Sequence, residues 1–273
     1  MQQAKILKIG GSVLTRKDAP QPTLNATILD RIIADIARWR DDDPPQRLIF
    51  VNGAGSFGHP LAQEYELSAP HPDKDRLGFV KTTTSMQTMA TLIAAAFDRA
   101  GLPLFPITTS SIFETSAGRI VSAHLTPITH ALDAGLIPHL WGDAVFDLVH
   151  TFRILSGDQI NTYLAEHLGV SELLYGTDVD GIYSADPHQH PDATRIDTIT
   201  DQNVAAIQES LFPSTHTDVT GGMQGKIGEL YRTPQRPLRA VIYDATQPGS
   251  TYRALAGHNI GTRILFEAAP PTV

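Results

Sequence analysis

Short apolar runs and segments of helical period alternate from one end of this chain to the other, and that alternation leaves few folds open to it. Ala4 to Ile9, Arg47 to Val51, Ile137 to Trp141, Ser171 to Thr177, Arg239 to Tyr243 and Gly261 to Phe266 read as strands. Between them, Thr23 to Arg40 carries Leu24, Ile28, Leu29, Ile32, Ile33 and Ile36 at helical spacing. Lys74 to Ala100, Thr126 to Ala134, Asp158 to Leu168 and a segment from Gly222 read as further helices. Strands that are apolar on both faces need cover on both faces. The pattern therefore predicts an α/β fold, a three-layer αβα sandwich around a mostly parallel sheet, with its crevice at the carboxyl ends of the strands. Ser111 to Val121 and Ala144 to Leu155 read as hairpins, the first turning at Ala117-Gly118.

Composition narrows the chemistry. A net charge of −8 speaks against duplex nucleic acid as a partner, because that binding depends on lysine and arginine neutralising phosphates. The absence of cysteine excludes disulfides, zinc–thiolate sites and thiol nucleophiles. A hydrophobic content of 41% with 18% charged residues fits a soluble globular enzyme. No apolar run reaches the ~18 residues of a membrane helix, and no signal-peptide pattern is visible, so the expectation is a cytoplasmic enzyme without a membrane partner.

The residues that carry chemistry sit at strand ends. Lys8-Ile9-Gly10-Gly11-Ser12, with Lys17 beyond, puts a cation and flexible backbone donors after the first strand. The chain has no G-x-x-x-x-G-K-[ST] loop, and Gly-Gly-Ser alone reads first as a tight turn. Gly53-Ala54-Gly55-Ser56-Phe57-Gly58-His59 follows the next strand. Its small residues let N–H groups approach an anion, and His59 adds a titratable donor at the mouth. A strand-to-helix turn is the plainer alternative. Thr177-Asp178-Val179-Asp180-Gly181-Ile182-Tyr183 brings Asp178 and Asp180 to the same sheet edge. They could orient a nucleotide, a lysine or magnesium, or simply close an Asx turn. Gly222 opens a helix with Lys226 one turn inside, offering a helix N-terminus and a cation to a polyphosphate, or only a solvated lysine near a cap.

Taken together, Lys8 to Ser12, Gly53 to His59, Ser156-Gly157-Asp158, Thr177 to Tyr183 and Asp218-Val219-Thr220-Gly221-Gly222-Met223 with Lys226 resemble the ordered motifs of the amino acid kinase superfamily. The histidine closing the glycine loop resembles the isopentenyl phosphate kinase branch, which also includes fosfomycin kinases. The resemblance spans essentially the whole chain. It implies an amino acid kinase-like fold and transfer of a phosphoryl group from ATP, with Mg2+, to isopentenyl phosphate, giving isopentenyl diphosphate. It also implies a homodimer. By the same resemblance, Lys8, Lys17, His59 and Lys226 form the catalytic set. Lys8, Gly10, Gly11, Ser12 and Lys226 would hold the ATP phosphates, Gly55 would donate to the transferring group, and Lys17 would lie near the transition state. Thr177, Asp178, Asp180, Gly181, Ile182, Tyr183 and Gly222 would border the nucleotide. Gly53, Ala54, His59, Gly157 and Asp158 would lie on the acceptor side, with Asp158 and Asp178 orienting the lysines. No protein ligand to a metal is assigned.

Residues 1–266 read as one domain, with an acceptor-binding half to about 170, a nucleotide-binding half over about 171–266, and a flexible tail over 267–273. An ionised phosphate acceptor needs no general base. Its obstacle is like-charge repulsion, which lysines, magnesium, N–H groups and a donating His59 would offset. The chain departs from the family pattern at Asn52, where histidine is frequent, and at Ala54, where glycine is usual; a positive φ at Ala54 would cost about 1 kcal/mol. Phe79 is the candidate lining for a prenyl tail, although Phe79, Thr82, Met86 and Met89 also read as plain core. A fosfomycin-type phosphonate kinase and a non-catalytic nucleotide-binding homologue are the alternatives. A carboxylate-phosphorylating kinase would leave His59 unexplained.

Overall fold

The computed structural model describes residues 4–16, 18–42, 46–67, 76–185, 192–211, 222–233 and 237–267. Lys17, Asp218 to Gly221 and the expected tail beyond Glu267 lie outside the described residues. β1 (Lys5–Ile9) leads into a single helical turn, α1 (Gly11–Leu14), and then α2 (Ala26–Asp42). β2 (Leu48–Asn52) is followed by α3 (Gly55–Glu64) and the long α4 (Arg76–Arg99). Next come β3 (Leu104–Pro106), the turn α5 (Thr109–Ile112), and the hairpin of β4 (Phe113–Ser116) and β5 (Arg119–Ala123). α6 (Thr126–Asp133) precedes β6 (Ile137–Trp141) and a second hairpin, β7 (Asp143–Asp147) with β8 (Thr151–Leu155). α7 (Gly157–Leu168) returns the chain to β9 (Glu172–Thr177). The rest holds β10 (Ile182–Tyr183), β11 (Arg195–Ile196), β12 (Thr198–Thr200), α8 (Val204–Leu211), α9 (Gly222–Arg232), β13 (Leu238–Asp244), α10 (Ser250–Leu255) and β14 (Thr262–Phe266).

The main sheet has the order β12-β14-β13-β9-β1-β2-β6-β3. Neighbours pair in parallel except β13 with β14, so β12 and β14 run against the rest. Strand alternation sends side chains to two separate cores. Ile6, Ile49 and Val51 pack with Ile160 and Leu164 of α7 and Ile227 and Leu230 of α9. Leu7, Ile9, Leu48 and Phe50 pack with Ile32 and Ile36 of α2 and Ile93 and Phe97 of α4. Each such side chain, fully withdrawn from water, contributes about 1.5–3 kcal/mol. The two cores give the three layers that the apolar strands predict. The two hairpins also form where the pattern puts them, and they join through a parallel β4–β7 pairing into a second sheet, β5-β4-β7-β8.

Strand order fixes where ligands can go. From β1 the chain builds outward through β2, β3 and β6 on one side, then crosses to lay β9, β13 and β14 on the other. The order reverses at β1, and a crevice opens beyond the carboxyl ends of parallel strands at such a reversal. Among the described residues no helix is long and apolar enough to cross a membrane.

Candidate active site

The crevice holds a cavity of about 710 Å³ at the ends of β1, β2 and β9. Its floor is made by the two glycine loops, which meet backbone to backbone. Gly53 N–H donates to Ile9 O at 3.0 Å, and Gly10 N–H to Gly176 O at 2.8 Å, so three adjacent strand ends are tied together. A Cβ on Gly11 would overlap the Gly55 amide nitrogen, and one on Gly53 would lie 2.7 Å from the Gly11 nitrogen. Gly55, the first residue of α3, also sits at φ +51°, a conformation that strains any residue with a Cβ. Ala54, by contrast, is ordinary right-handed backbone at φ −71°, ψ −33°, so the alanine in this loop costs no backbone strain.

Above the floor, one carboxylate holds two lysines. Asp158 Oδ1 lies 2.7 Å from Lys8 Nζ and 2.8 Å from Lys226 Nζ, and all three residues are at most 7% exposed. Lys8 leaves β1 and Lys226 comes from α9. Asp158 sits in the first turn of α7, where its charge meets the positive end of the helix. That helix starts where it does because Ser156 Oγ accepts the Gln159 N–H at 3.2 Å, and it stops at Gly169 in the left-handed conformation. Gly157 lets the Lys8 stem pass, since a Cβ there would lie 3.1 Å from Lys8 Cε. The Lys226 ammonium lies 4.6 Å over the Tyr175 ring. Burial pushes the Lys8 ammonium down to about 8, with Asp158 opposing and Lys226 adding to the fall. Burial would raise the Asp158 carboxyl, but the two lysine charges overcome it and hold the group below its usual range. The cluster therefore carries one positive charge more than its carboxylate neutralises, facing a cavity. Such a site favours an anion.

Beneath the Gly53 to His59 loop lies a buried polar layer. Asn52 is fully buried; its Nδ2 donates to Gly53 O at 3.1 Å, and its Oδ1 lies 2.6 Å from His139 Nε2. Burial takes the His139 imidazole down to about 3, so it is neutral and donates from Nε2. Asp143, pushed up to about 7 by burial, accepts from Trp141 Nε1 at 3.0 Å. Asn52 thus belongs to the loop's support. No sequence signal marks His139, a single polar residue inside an apolar strand.

The cavity gathers Lys8, Gly10, Gly11, Ser12, Gly53, Ala54, Gly55, His59, Gly157, Asp158, Thr177, Asp178, Gly222 and Lys226, all of them expected from sequence. Lys17 falls outside the described residues. Asp178 lines the cavity, but the ion pairs seen there join the lysines to Asp158 alone. Asp180, Gly181, Ile182 and Tyr183 are not brought to it. Asp180 lines a neighbouring depression and accepts from Tyr183 Oη at 2.7 Å and Arg195 Nη1 at 3.2 Å. Ile182 is core, and its N–H donates to Thr262 Oγ1 at 2.8 Å. The i, i+2 aspartates point apart because the chain turns at Gly181 into the small β10–β11 pairing. Phe79 does not line the cavity either. It stacks on Phe152 at 4.2 Å and meets Phe146 at 5.3 Å, while Ile154, on the same face of β8 as Phe152, lines the wall. Thr15, Gln63 and Ser156 line the cavity as well. Of these, only Ser156 had a readable signal, a Ser-x-x-Gln start to an apolar helix.

Comparison with known proteins gives a consistent picture. The model of the amino acid kinase family matches residues 3–242. An isopentenyl phosphate kinase from Methanothermobacter thermautotrophicus is 37% identical over 267 residues, covering 95% of this chain and 98% of its own. A crystallographic isopentenyl phosphate kinase superposes with a TM-score of 0.82 at 33% identity, covering 96% of this chain and 100% of its own. A substrate complex of an isopentenyl phosphate kinase superposes with a TM-score of 0.70 at 26% identity, over 96% of this chain and all of that one.

Proposed function

The chain belongs to the amino acid kinase family and groups within it with the isopentenyl phosphate kinases, and from that premise we propose that it transfers the γ-phosphoryl group of ATP to isopentenyl phosphate. The observation that carries this reading is the buried Lys8–Asp158–Lys226 cluster, with its uncompensated positive charge, beside two backbone loops in one cavity. The lysines and the Gly10–Ser12 loop hold the polyphosphate, and the loop from Gly53 to His59 holds the acceptor. An in-line transfer between two fixed anions needs positioning and charge stabilisation more than covalent chemistry. Among the described residues no three histidines, aspartates or glutamates converge as a metal-binding group, and Asp158 is engaged by its lysines. Magnesium would come with the nucleotide and supply charge neutralisation to its phosphates, in keeping with an ion that prefers phosphate and water ligands. A homodimer in the cytoplasm completes the reading.

ADP release with Mg-ATP tests it across isopentenyl phosphate, dimethylallyl phosphate, fosfomycin, N-acetylglutamate and UMP. Turnover on isopentenyl phosphate is expected. Turnover on fosfomycin alone would move the chain to phosphonate chemistry, and ATP binding without turnover on any acceptor would make it a nucleotide-binding homologue.

His59 lines the cavity and is exposed to it, so its ring can donate to the acceptor phosphate. His59→Ala should lower kcat/KM by about 100-fold or more, the cost typical of losing one charge-stabilising donor, whereas His59→Gln keeps a donor and should retain more. Equal activity of His59→Ala and wild type would remove that role.

Lys8 makes nucleotide binding pH-dependent. Its ammonium titrates at about 8 in the ligand-free fold, against 10.5 when free in water. Between those values the unfolded chain holds the extra proton, so the Lys8 contribution to stability rises with pH across that window. A bound polyphosphate restores the charge, so ATP binding at pH 8.5 should take up protons, and at pH 7 far fewer. Calorimetry in two buffers of different ionisation heat reads the uptake directly; identical heats at pH 8.5 would exclude it.

A further inference from the structure

α3 begins without a cap of its own. Its N-cap residue is Ala54, which has no side-chain oxygen to accept a first-turn N–H. Thr15 fills that place from 41 residues upstream: its Oγ1 accepts the Ser56 N–H at 3.0 Å. The same oxygen donates its proton to Gly11 O at 2.7 Å. Thr15 is 4% exposed, and its backbone N–H also donates to Gly11 O at 2.9 Å. One hydroxyl is thus bonded simultaneously to the loop after β1 and to the helix start after β2. Gly55 has to be glycine partly because of it, since a Cβ there would lie 2.7 Å from Thr15 Cγ2.

We infer that Thr15 is a positioning residue that sets the distance between the donor-phosphate loop (Gly10 to Ser12) and the acceptor loop (Gly53 to Ser56). The inference rests on the phosphotransfer reading above and adds to it the residue that keeps its two sites in register. On that reading each loop holds one ligand, and Gly55 of the acceptor loop meets the transferring group between them. Loss of the hydroxyl therefore leaves both ligands bound and lets them drift relative to one another. A near-attack geometry tolerates little drift, and a misplacement of about 1 Å costs about 100-fold in rate. The deficit belongs in kcat, because groups that bind each ligand separately are untouched.

The experiment compares wild type, Thr15→Val, Thr15→Ser and Thr15→Ala with Mg-ATP and isopentenyl phosphate, measuring kcat and both KM values alongside thermal unfolding. Thr15→Val keeps the shape and loses both hydrogen bonds; kcat should fall by about 100-fold with both KM values nearly unchanged. Thr15→Ser keeps the hydroxyl and should restore most of the rate. Should Thr15→Val not fold, the same contrast is read between Thr15→Ala and Thr15→Ser. Wild-type kcat in the valine or alanine variant, a loss carried by KM alone, or an equal loss in the serine variant would overturn the inference while leaving the phosphotransfer reading intact. Wild-type protein inert toward every acceptor would overturn that reading and, with it, the role assigned to Thr15.

Discussion

Asp158→Ala should abolish turnover and destabilise the fold by about 3–5 kcal/mol at pH 7, the cost of leaving a buried charge without its partner. The carboxylate stands alone between Lys8 and Lys226, each about 9% exposed in its side chain, so its removal leaves two ammonium groups facing each other in a poorly solvated space. The fold has one escape. Lys8 already titrates at about 8, and without Asp158 it sheds its proton more readily still. The destabilisation should therefore shrink between pH 7 and pH 9, because a neutral Lys8 no longer repels Lys226. Urea unfolding of both proteins at the two pH values, with an activity assay on each, measures this. A variant as stable as wild type at pH 7 would show that the lysines find other partners, and a deficit that grew with pH would contradict the assigned charges.

Neighbouring glycines in the first loop should respond in opposite ways. Gly11→Ala puts a methyl group onto the Gly55 amide nitrogen, and neither backbone can yield easily: Gly55 is the first residue of α3, at φ +51°. Overpacking of this kind costs about 1–3 kcal/mol. Any relief must also separate the loops, so turnover should fall by about 100-fold or more. Gly10→Ala has the room and the backbone for a side chain, with φ −60°, ψ 145° and its nearest new contact at 3.4 Å. Its thermal stability should match wild type within about 0.5 kcal/mol. If the two alanine variants unfold together, the loops are not in the contact described.

Residues whose roles follow from local periodicity were legible in the sequence. The strand and helix segments, the two hairpins, and Lys8, Gly53 to His59 and Lys226 at strand or helix ends could be read from spacing and turn chemistry, whereas Gly157 and Asp158 entered through the family resemblance. Contacts between distant segments could not. Nothing in the order of residues shows that Thr15 caps the helix at Gly55, that Asn52 leans on His139, or that the hairpins join through β4 and β7. The parting of Asp180 to Tyr183 from Thr177 and Asp178 has the same origin. A motif was read as one unit, but the chain turns at Gly181 and only its first two residues, Thr177 and Asp178, face the cavity. Ala54 shows the reverse case: the concern that it needed a positive φ disappears, because the left-handed residue is the next one, Gly55.

The reversal of strand order at β1 has an evolutionary consequence. Everything on one side of that strand up to β8, including the small sheet with Phe146, Phe152 and Ile154, is encoded before Ser156, whereas β9, β13 and β14 are encoded after it. The two flanks meet along the β1 seam and at the helix that bears Asp158, and also where α10 packs on α2 and where Arg119 pairs with Glu229. Beyond β1 each flank keeps its own run of strand pairings, β2-β6-β3 on one side and β9-β13-β14 on the other. On the proposed assignment of the acceptor side, a lineage built on this plan could change acceptors within one contiguous stretch of its gene, from β4 to β8, while keeping Lys8, Asp158 and Lys226.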